Sequence, residues 1–124
     1  MDGHAGLTLE RTVCGKRLEA EACFLDDGVH VLLIGGERSH IGAISWAEPG
    51  KPPETKLFPG HRDNVLSEIW AQSIAKALGV RTVVVCGVHY DGATKDMIAA
   101  VVRASEELRK EFLSRFACGQ EENS

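Results

Sequence analysis

The sequence lacks an excess of basic residues and lacks any long apolar run. Its 14 Lys and Arg residues are outnumbered by 18 Asp and Glu residues, which gives a formal net charge of −4. Because a protein that follows a phosphate backbone needs a basic face, this balance argues against nucleic-acid binding. No apolar segment reaches the ~18 residues that a bilayer requires, and the N-terminal residues lack the pattern of a secretory signal. We therefore expect a cytoplasmic protein that does not contact membranes.

The sequence also lacks the common signatures of metal and nucleotide sites. Its cysteines are Cys14, Cys23, Cys86 and Cys118, and they form no CxxC pair, which argues against a zinc ribbon or a thioredoxin-like centre. GxGxxG and GK[ST] strings are absent, so standard nucleotide binding is disfavoured. HxH and HExxH spacings are absent as well, and we expect no bound metal. Cys86 is interpreted as a buried thiol, with a nucleophilic role beside His89 as the alternative.

The length and the composition fit one soluble globular domain. A chain of 124 residues with 44% hydrophobic and 26% charged residues can bury one real core. We predict a single domain over residues 1–118, followed by a frayed C-terminal tail over residues 119–124.

The pattern along the chain predicts an α+β fold. Alternating apolar residues predict strands near 5–13 and 18–24, and the run VHVLLIGG and the string IGAISWA predict two more. Short links between these four strands favour an antiparallel meander. A later strand, VRTVVVCGV, would join the same sheet.

The remaining segments are predicted to be one loop and two helices. Residues 48–59 hold all four prolines and are interpreted as a surface loop. The first helix should begin near Asp63 or Asn64, either of which can cap it, and end at Gly79. The second should begin at Thr94. Apolar residues spaced three and four apart predict one buried stripe on each helix: Val65, Leu66, Ile69, Trp70, Ile74, Ala77 and Leu78 on the first, and Met97, Ile98, Val101, Val102, Leu108, Phe112 and Phe116 on the second. Two amphipathic helices would cover one face of the sheet, and the uncovered face makes a homodimer a fair hypothesis.

Three histidines lie in glycine-containing strings at predicted element boundaries: His40 in GGERSHIGA, His61 in PGHRDNV and His89 in CGVHYDGAT. Such positions expose an imidazole beside free backbone N–H groups, which suits an anionic ligand. In PGHRDN an anion would meet a helix N-terminus together with His61 and Arg62. Each string also has a simpler interpretation, in which the polar residues only shape a turn or cap a helix.

Two catalytic alternatives follow from the same strings. His89 could be a general base oriented by Asp91, in a small hydrolase or lyase. His40, His61, His89 and Asp91 could instead bind zinc or iron, although no usual ligand spacing supports such a set. Tyr90 could stack on a flat ring or pack on a helix.

Taken in order, GGxxxHIGA, PGHxDxV and GxHYDxAT resemble the LpdD-like prenylated flavin chaperones, the D subunits associated with UbiD-type gallate decarboxylases. The resemblance spans roughly His30 to Leu108. It implies a proteasome-assembly-chaperone-like α+β fold, usually dimeric, and a non-catalytic protein that binds prenylated FMN transiently and passes it to a UbiD-type aromatic acid decarboxylase. A protein-assembly chaperone without a cofactor is a further alternative. The cofactor-binding positions that the resemblance implies are Gly35, Gly36, His40, Gly42, Gly60, His61, Asp63, His89, Tyr90 and Asp91.

Overall fold

The fold consists of one six-stranded sheet and two helices. A computed structural model describes residues 5–59 and 62–123, with side chains for 6–59 and 62–116. The strands are β1 (Ala5–Val13), β2 (Lys16–Leu25), β3 (Gly28–Gly36), β4 (Ala43–Ala47), β5 (Glu54–Leu57) and β6 (Arg81–His89), and the helices are α1 (Asn64–Leu78) and α2 (Lys95–Asn123).

The strands are arranged in the order β1-β2-β3-β6-β4-β5. The first three form an antiparallel meander, and the two-residue turn Asp26-Asp27 joins β2 to β3 with Leu25 opposite Gly28. β6 is parallel to β3 and antiparallel to β4. The sheet is therefore mixed but mostly antiparallel, and the predicted α+β class, with its N-terminal meander, later strand and two helices, is confirmed.

The position of β4 differs from the sequence prediction. The expected four-stranded meander is wrong in its last step, because β6 lies between β3 and β4. β6 carries the run Val83-Val84-Val85, which is apolar on both faces and is best buried in the centre of a sheet. Residues 48–59, which were interpreted as a loop, also contain a short strand, β5. It pairs with β4 at the edge of the sheet, where strands flanked by prolines are tolerated.

Both helices pack on the same face of the sheet. On this face α1 contacts β4 and β6, and α2 contacts β1 and β2. The hydroxyls of Ser45 on β4 and Ser67 on α1 lie 2.7 Å apart, and the Trp70 indole donates to Ser105 Oγ at 2.9 Å, which joins α1 to α2. The largest fully buried side chains include Trp70, Phe112, Leu18, Leu33, Ile74 and Leu108.

The helix ends agree in part with the sequence prediction. Gly79 has φ +69° and its N–H donates to Ala75 O, so α1 ends where expected. Thr94 caps α2, because its hydroxyl accepts the N–H of Met97 at 3.1 Å. The backbone of α2 is helical as far as Asn123, past the residue at which we predicted a tail to begin, since Gln and Glu are good helix formers. Neither helix, over the residues described, has the length and apolarity to cross a membrane.

Candidate ligand-binding cleft

Two of the predicted loops are bound to each other at the end of β3 and β6. The N–H of Glu37 donates to His89 O at 2.8 Å, and the N–H of Asp91 donates to the Glu37 carboxylate at 2.8 Å. Gly36 has φ +89°, and a Cβ there would lie 1.9 Å from His89 O. Only glycine permits this backbone conformation and so close an approach to His89 O. Gly36, which was predicted to lie in a ligand-binding loop, therefore allows the two loops to join.

Asp63 links the start of α1 to the end of β6 and to the His40 segment. Its Oδ1 accepts the N–H of Val88 at 3.0 Å and lies 3.9 Å from Cys86 Sγ, while His40 Nε2 lies 3.3 Å from its Oδ2. Asp63 occupies the N-cap position of α1, one of the two residues predicted there, but its side chain makes no capping bond, because the carboxylate is turned toward β6. Buried to 7% exposure, it holds α1, β6 and the His40 segment together.

Two of the three histidine-containing strings, those of His40 and His89, lie close together in the structure. The rings of His40 and His89 are 6.3 Å apart between centroids, and His89 Nε2 lies 2.8 Å from the exposed Asp91 carboxylate. Gly60 and His61 lie outside the described residues. The neighbouring Arg62 is exposed and lines the same cleft as His89.

The other predicted glycines have packing roles. A Cβ on Gly42 would lie 1.9 Å from Asp63 Oδ2, and one on Gly35 would crowd the backbone of β2 at 2.9 Å. Gly87, which the sequence prediction omits, is the tightest, since its Cβ would lie 1.6 Å from His40 O. Gly87 thus allows the His40 segment to lie directly against the end of β6.

A cleft opens where the start of α1, the end of β6 and the start of α2 meet. It encloses about 410 Å³, within the range of small-molecule sites. Most of its lining is aliphatic, with a few polar groups. The lining residues are Arg62, Asp63, Val65, Leu66, Val88, His89, Tyr90, Ala93, Met97, Ile98, Val101 and Val102.

The aliphatic lining is the part of the site that the sequence prediction missed. Val65, Ile98 and Val102 were assigned to the buried stripes of the two helices, yet they are 54%, 53% and 42% exposed. Both predicted stripes were wider than contact with one sheet face requires. That excess width is the signal that could have revealed an apolar cleft between the helix starts.

Tyr90 lies at the inner side of this cleft and is largely buried. Its side chain is 8% exposed. Among the buried side-chain nitrogen and oxygen atoms of the described residues, the Tyr90 hydroxyl is the one without a hydrogen-bond partner. Burial raises the pKa of the Tyr90 phenol, and the charges of Cys14 and Glu37 raise it further. The phenol therefore stays neutral, and little of its ring is available for stacking.

Cys86 is excluded as a nucleophile by its surroundings. It is fully buried, and burial, with the negative charge of Asp63 and its hydrogen bond to that carboxylate, raises the pKa of the thiol far above its ordinary range. A protonated, inaccessible thiol cannot attack a substrate. Among the described residues, no group of three or more His, Cys, Asp or Glu side chains is placed to hold a metal ion.

Comparison with known proteins gives one consistent relationship. The family model of the prenylated flavin chaperone LpdD-like domain matches residues 13–117. Protein LpdD of Lactiplantibacillus plantarum is 30% identical over 105 residues, which cover 81% of this chain and 77% of that protein. A crystal structure of a chaperone complex for yeast 20S proteasome assembly shares the fold, with a TM-score of 0.59 and 13% identity over 91% of this chain and 96% of that chain. The chain thus belongs to the LpdD-like prenylated flavin chaperone family.

Proposed function

We propose that this chain is a cytoplasmic, non-catalytic chaperone that binds prenylated FMN in the cleft and delivers it to a UbiD-type aromatic acid decarboxylase. The observation that carries the proposal is a cleft of about 410 Å³ lined by Asp63 and His89, the two residues that the His40 ring contacts. The prenylated flavin is cargo here, so the residues of the chain hold it and no bond is made or broken in the cleft. Its electron-accepting chemistry belongs to the client.

The phosphate of the cofactor fits the mouth of the cleft beside Arg62. This guanidinium is exposed, and the first turn of α1 contains no acidic residue. Because Asp63 is turned toward β6, its side chain leaves the first N–H groups of α1 uncapped. A cation and a helix N-terminus together favour an anion at this position.

The remaining residues of the proposed site have supporting roles. His89 and Asp63 line the cleft, and Asp63 together with His40 also holds the loops in place. Gly36 and Gly42 allow the loops to approach. The open lining, with several half-exposed side chains, suits a carrier that must release its ligand.

A titration tests the proposal. Prenylated FMN added anaerobically to the protein should quench or shift its fluorescence with saturation. Replacing the phosphate partner, Arg62→Gln, should weaken binding about tenfold, as expected for a hydrogen bond to a charged group. Arg81→Gln, which removes an exposed arginine outside the cleft, is the matched control and should bind as the parent does. No saturable signal at millimolar ligand would refute the proposal.

Delivery is tested separately with a client enzyme. Apo-decarboxylase of the UbiD type should be activated faster by the loaded chain than by the same concentration of free prenylated FMN. Equal rates would mean that the chain binds the cofactor without delivering it.

We also propose that the chain forms a homodimer through the open face of the sheet. On this face Leu32, Val85 and Ile44 form one row across three neighbouring strands, and Val83 and Trp46 continue the next row. No helix of the described part of the chain packs on these rows, and Trp46 is 39% exposed. A contiguous apolar face of this kind is covered in soluble proteins by a partner, and a second copy offers a self-complementary one.

Sedimentation measurements test the dimer. The parent should sediment as a dimer at micromolar concentration, and Trp46→Lys should shift it to the monomer. Ile41→Lys, at an exposed position outside the rows, should stay dimeric. A monomeric parent at all concentrations would overturn this part of the proposal.

One observation favours a second candidate function. His89 and Asp91 form a base-and-carboxylate pair at 2.8 Å, which is the geometry of an oriented general base. A small hydrolase or lyase would use this pair at the mouth of the cleft. Stoichiometric zinc or iron in protein purified without added metal, or a hydrolytic activity lost in His89→Gln, would favour the enzyme over the carrier.

A further inference from the structure

One wall of the cleft is built from branched aliphatic side chains of two different helices. Val65 comes from the first turn of α1, and Ile98 and Val102 lie one turn apart near the start of α2. All three line the cleft. Neither helix needs these residues for its own packing, because Trp70, Leu108 and Phe112 already form the contact with the sheet and with each other.

The three apolar side chains of this wall are more exposed to solvent than large apolar side chains usually are. Val65, Ile98 and Val102 are each between 42% and 54% exposed, and they converge on one cavity instead of being scattered. Scattered apolar residues on a surface need no explanation, but a concave apolar wall marks a surface that a ligand covers. The ligand that fits is one with an aliphatic part.

The cleft is a poor stacking site for a flat aromatic ring. Tyr90 is the aromatic residue of the lining, and it is only 8% exposed. FMN and prenylated FMN share the ribityl phosphate and differ in the added five-carbon prenyl unit, which is aliphatic. The phosphate side of the cleft therefore cannot distinguish them, while the aliphatic wall can.

We propose that the wall formed by Val65, Ile98 and Val102 binds the prenyl-derived carbons and makes the chain selective for prenylated FMN over FMN. This inference rests on the proposed function of the cleft. Because even one methylene in an apolar pocket changes affinity by about tenfold or more, the preference for the prenylated cofactor should be at least about tenfold.

Paired titrations test this selectivity. The parent and the double variant Val65→Thr/Val102→Thr are titrated anaerobically with prenylated FMN and, separately, with FMN. The replacement keeps the shape of each side chain and adds a hydroxyl at exposed positions, so the fold should be retained, as circular dichroism and the unfolding midpoint would show. Leu57→Thr, at a 40% exposed position outside the cleft, is the control.

The outcomes separate this inference from the proposed function. We expect the parent to prefer prenylated FMN at least about tenfold, and the double variant to lose most of that preference while its FMN affinity is unchanged. Equal affinity of the parent for both flavins, or an equal loss for both in the variant, overturns the selectivity but leaves a flavin carrier. Absence of binding by either flavin overturns the proposed function itself.

Discussion

Asp63 Oδ1 accepts the backbone N–H of Val88 at 3.0 Å, and this bond connects the first residue before α1 to the end of β6. The same carboxyl group lies beside His40 Nε2 and Cys86 Sγ. One side chain thus fixes the relative positions of the start of α1, the end of β6 and the His40 segment.

Removing this carboxyl group should destabilise the protein. Asp63→Ala leaves the Val88 N–H without its partner in a buried setting, which should lower the free energy of unfolding by about 2–3 kcal/mol. Urea denaturation measures the change. Asp91→Ala removes a carboxylate that is 70% exposed and should change stability by less than about 0.5 kcal/mol. Equal stability of the two variants would contradict the linking role of Asp63.

A methyl group at Gly87 should not be accommodated. Its position would be 1.6 Å from His40 O, so the backbone of the His40 segment must move, at a cost of about 2 kcal/mol or more. Thermal unfolding of Gly87→Ala measures this cost. In Gly6→Ala the new carbon meets nothing closer than 3.4 Å, and unfolding should be nearly unchanged. A Gly87→Ala variant with the parent's midpoint would show that the loop packs elsewhere.

The hydrogen bond between the two helices should be measurable. Ser105→Ala leaves the buried Trp70 N–H unpaired and should lower the free energy of unfolding by about 1–2 kcal/mol. Ser114→Ala, at an exposed position on α2, should have little effect. If both substitutions are silent, the indole has found another acceptor.

Stability should also depend on pH through Glu106. Its hydrogen bonds from Arg109, at 2.6 and 3.2 Å, hold the pKa of this carboxyl below its ordinary value of 4.5. A lowered pKa in the folded state means that the bond stabilises the protein above about pH 4.5 and that this stabilisation disappears as the pH falls through the folded pKa. Since Glu106 is partly exposed, the contribution should stay below about 1 kcal/mol.

Comparison of the unfolding free energies of Glu106→Gln and the parent between about pH 3 and pH 7 measures this effect. The difference in unfolding free energy should be present at neutral pH and vanish in acid. Glu68→Gln, which replaces a glutamate that forms no ion pair with the described residues, is the control. If the difference in unfolding free energy between the parent and Glu106→Gln grows as the pH falls, this account is contradicted.

The sequence predicted the elements of the fold better than their arrangement. Alternation along Leu18, Ala20 and Ala22 identifies β2, and Gly79 marks the end of α1, because these are local signals. The insertion of β6 between β3 and β4 depends on which strand can be buried on both faces, which is decided by packing of distant segments. A strand between prolines, such as β5, is also invisible to local rules.

In the candidate site, too, the sequence predicted local features better than contacts between distant segments. The sequence identified the His40 and His89 strings as candidates, and the structure places the two rings 6.3 Å apart. The sequence could not show that Asp63 would bond to β6 instead of capping its own helix, because both uses of the carboxylate satisfy the same local pattern. Nor could periodicity separate the aliphatic residues that face the sheet from Val65 and Ile98, which face the cleft.

The central claim is that the cleft holds prenylated FMN. The most direct test is to follow the backbone amide signals of ¹⁵N-labelled protein by NMR. On anaerobic addition of prenylated FMN, saturable shifts should be concentrated at Arg62–Leu66, Val88–Ala93 and Met97–Val102, and the outer strand β1 should be unaffected. Saturable shifts confined to the open sheet face, or no shifts at all, would contradict the account.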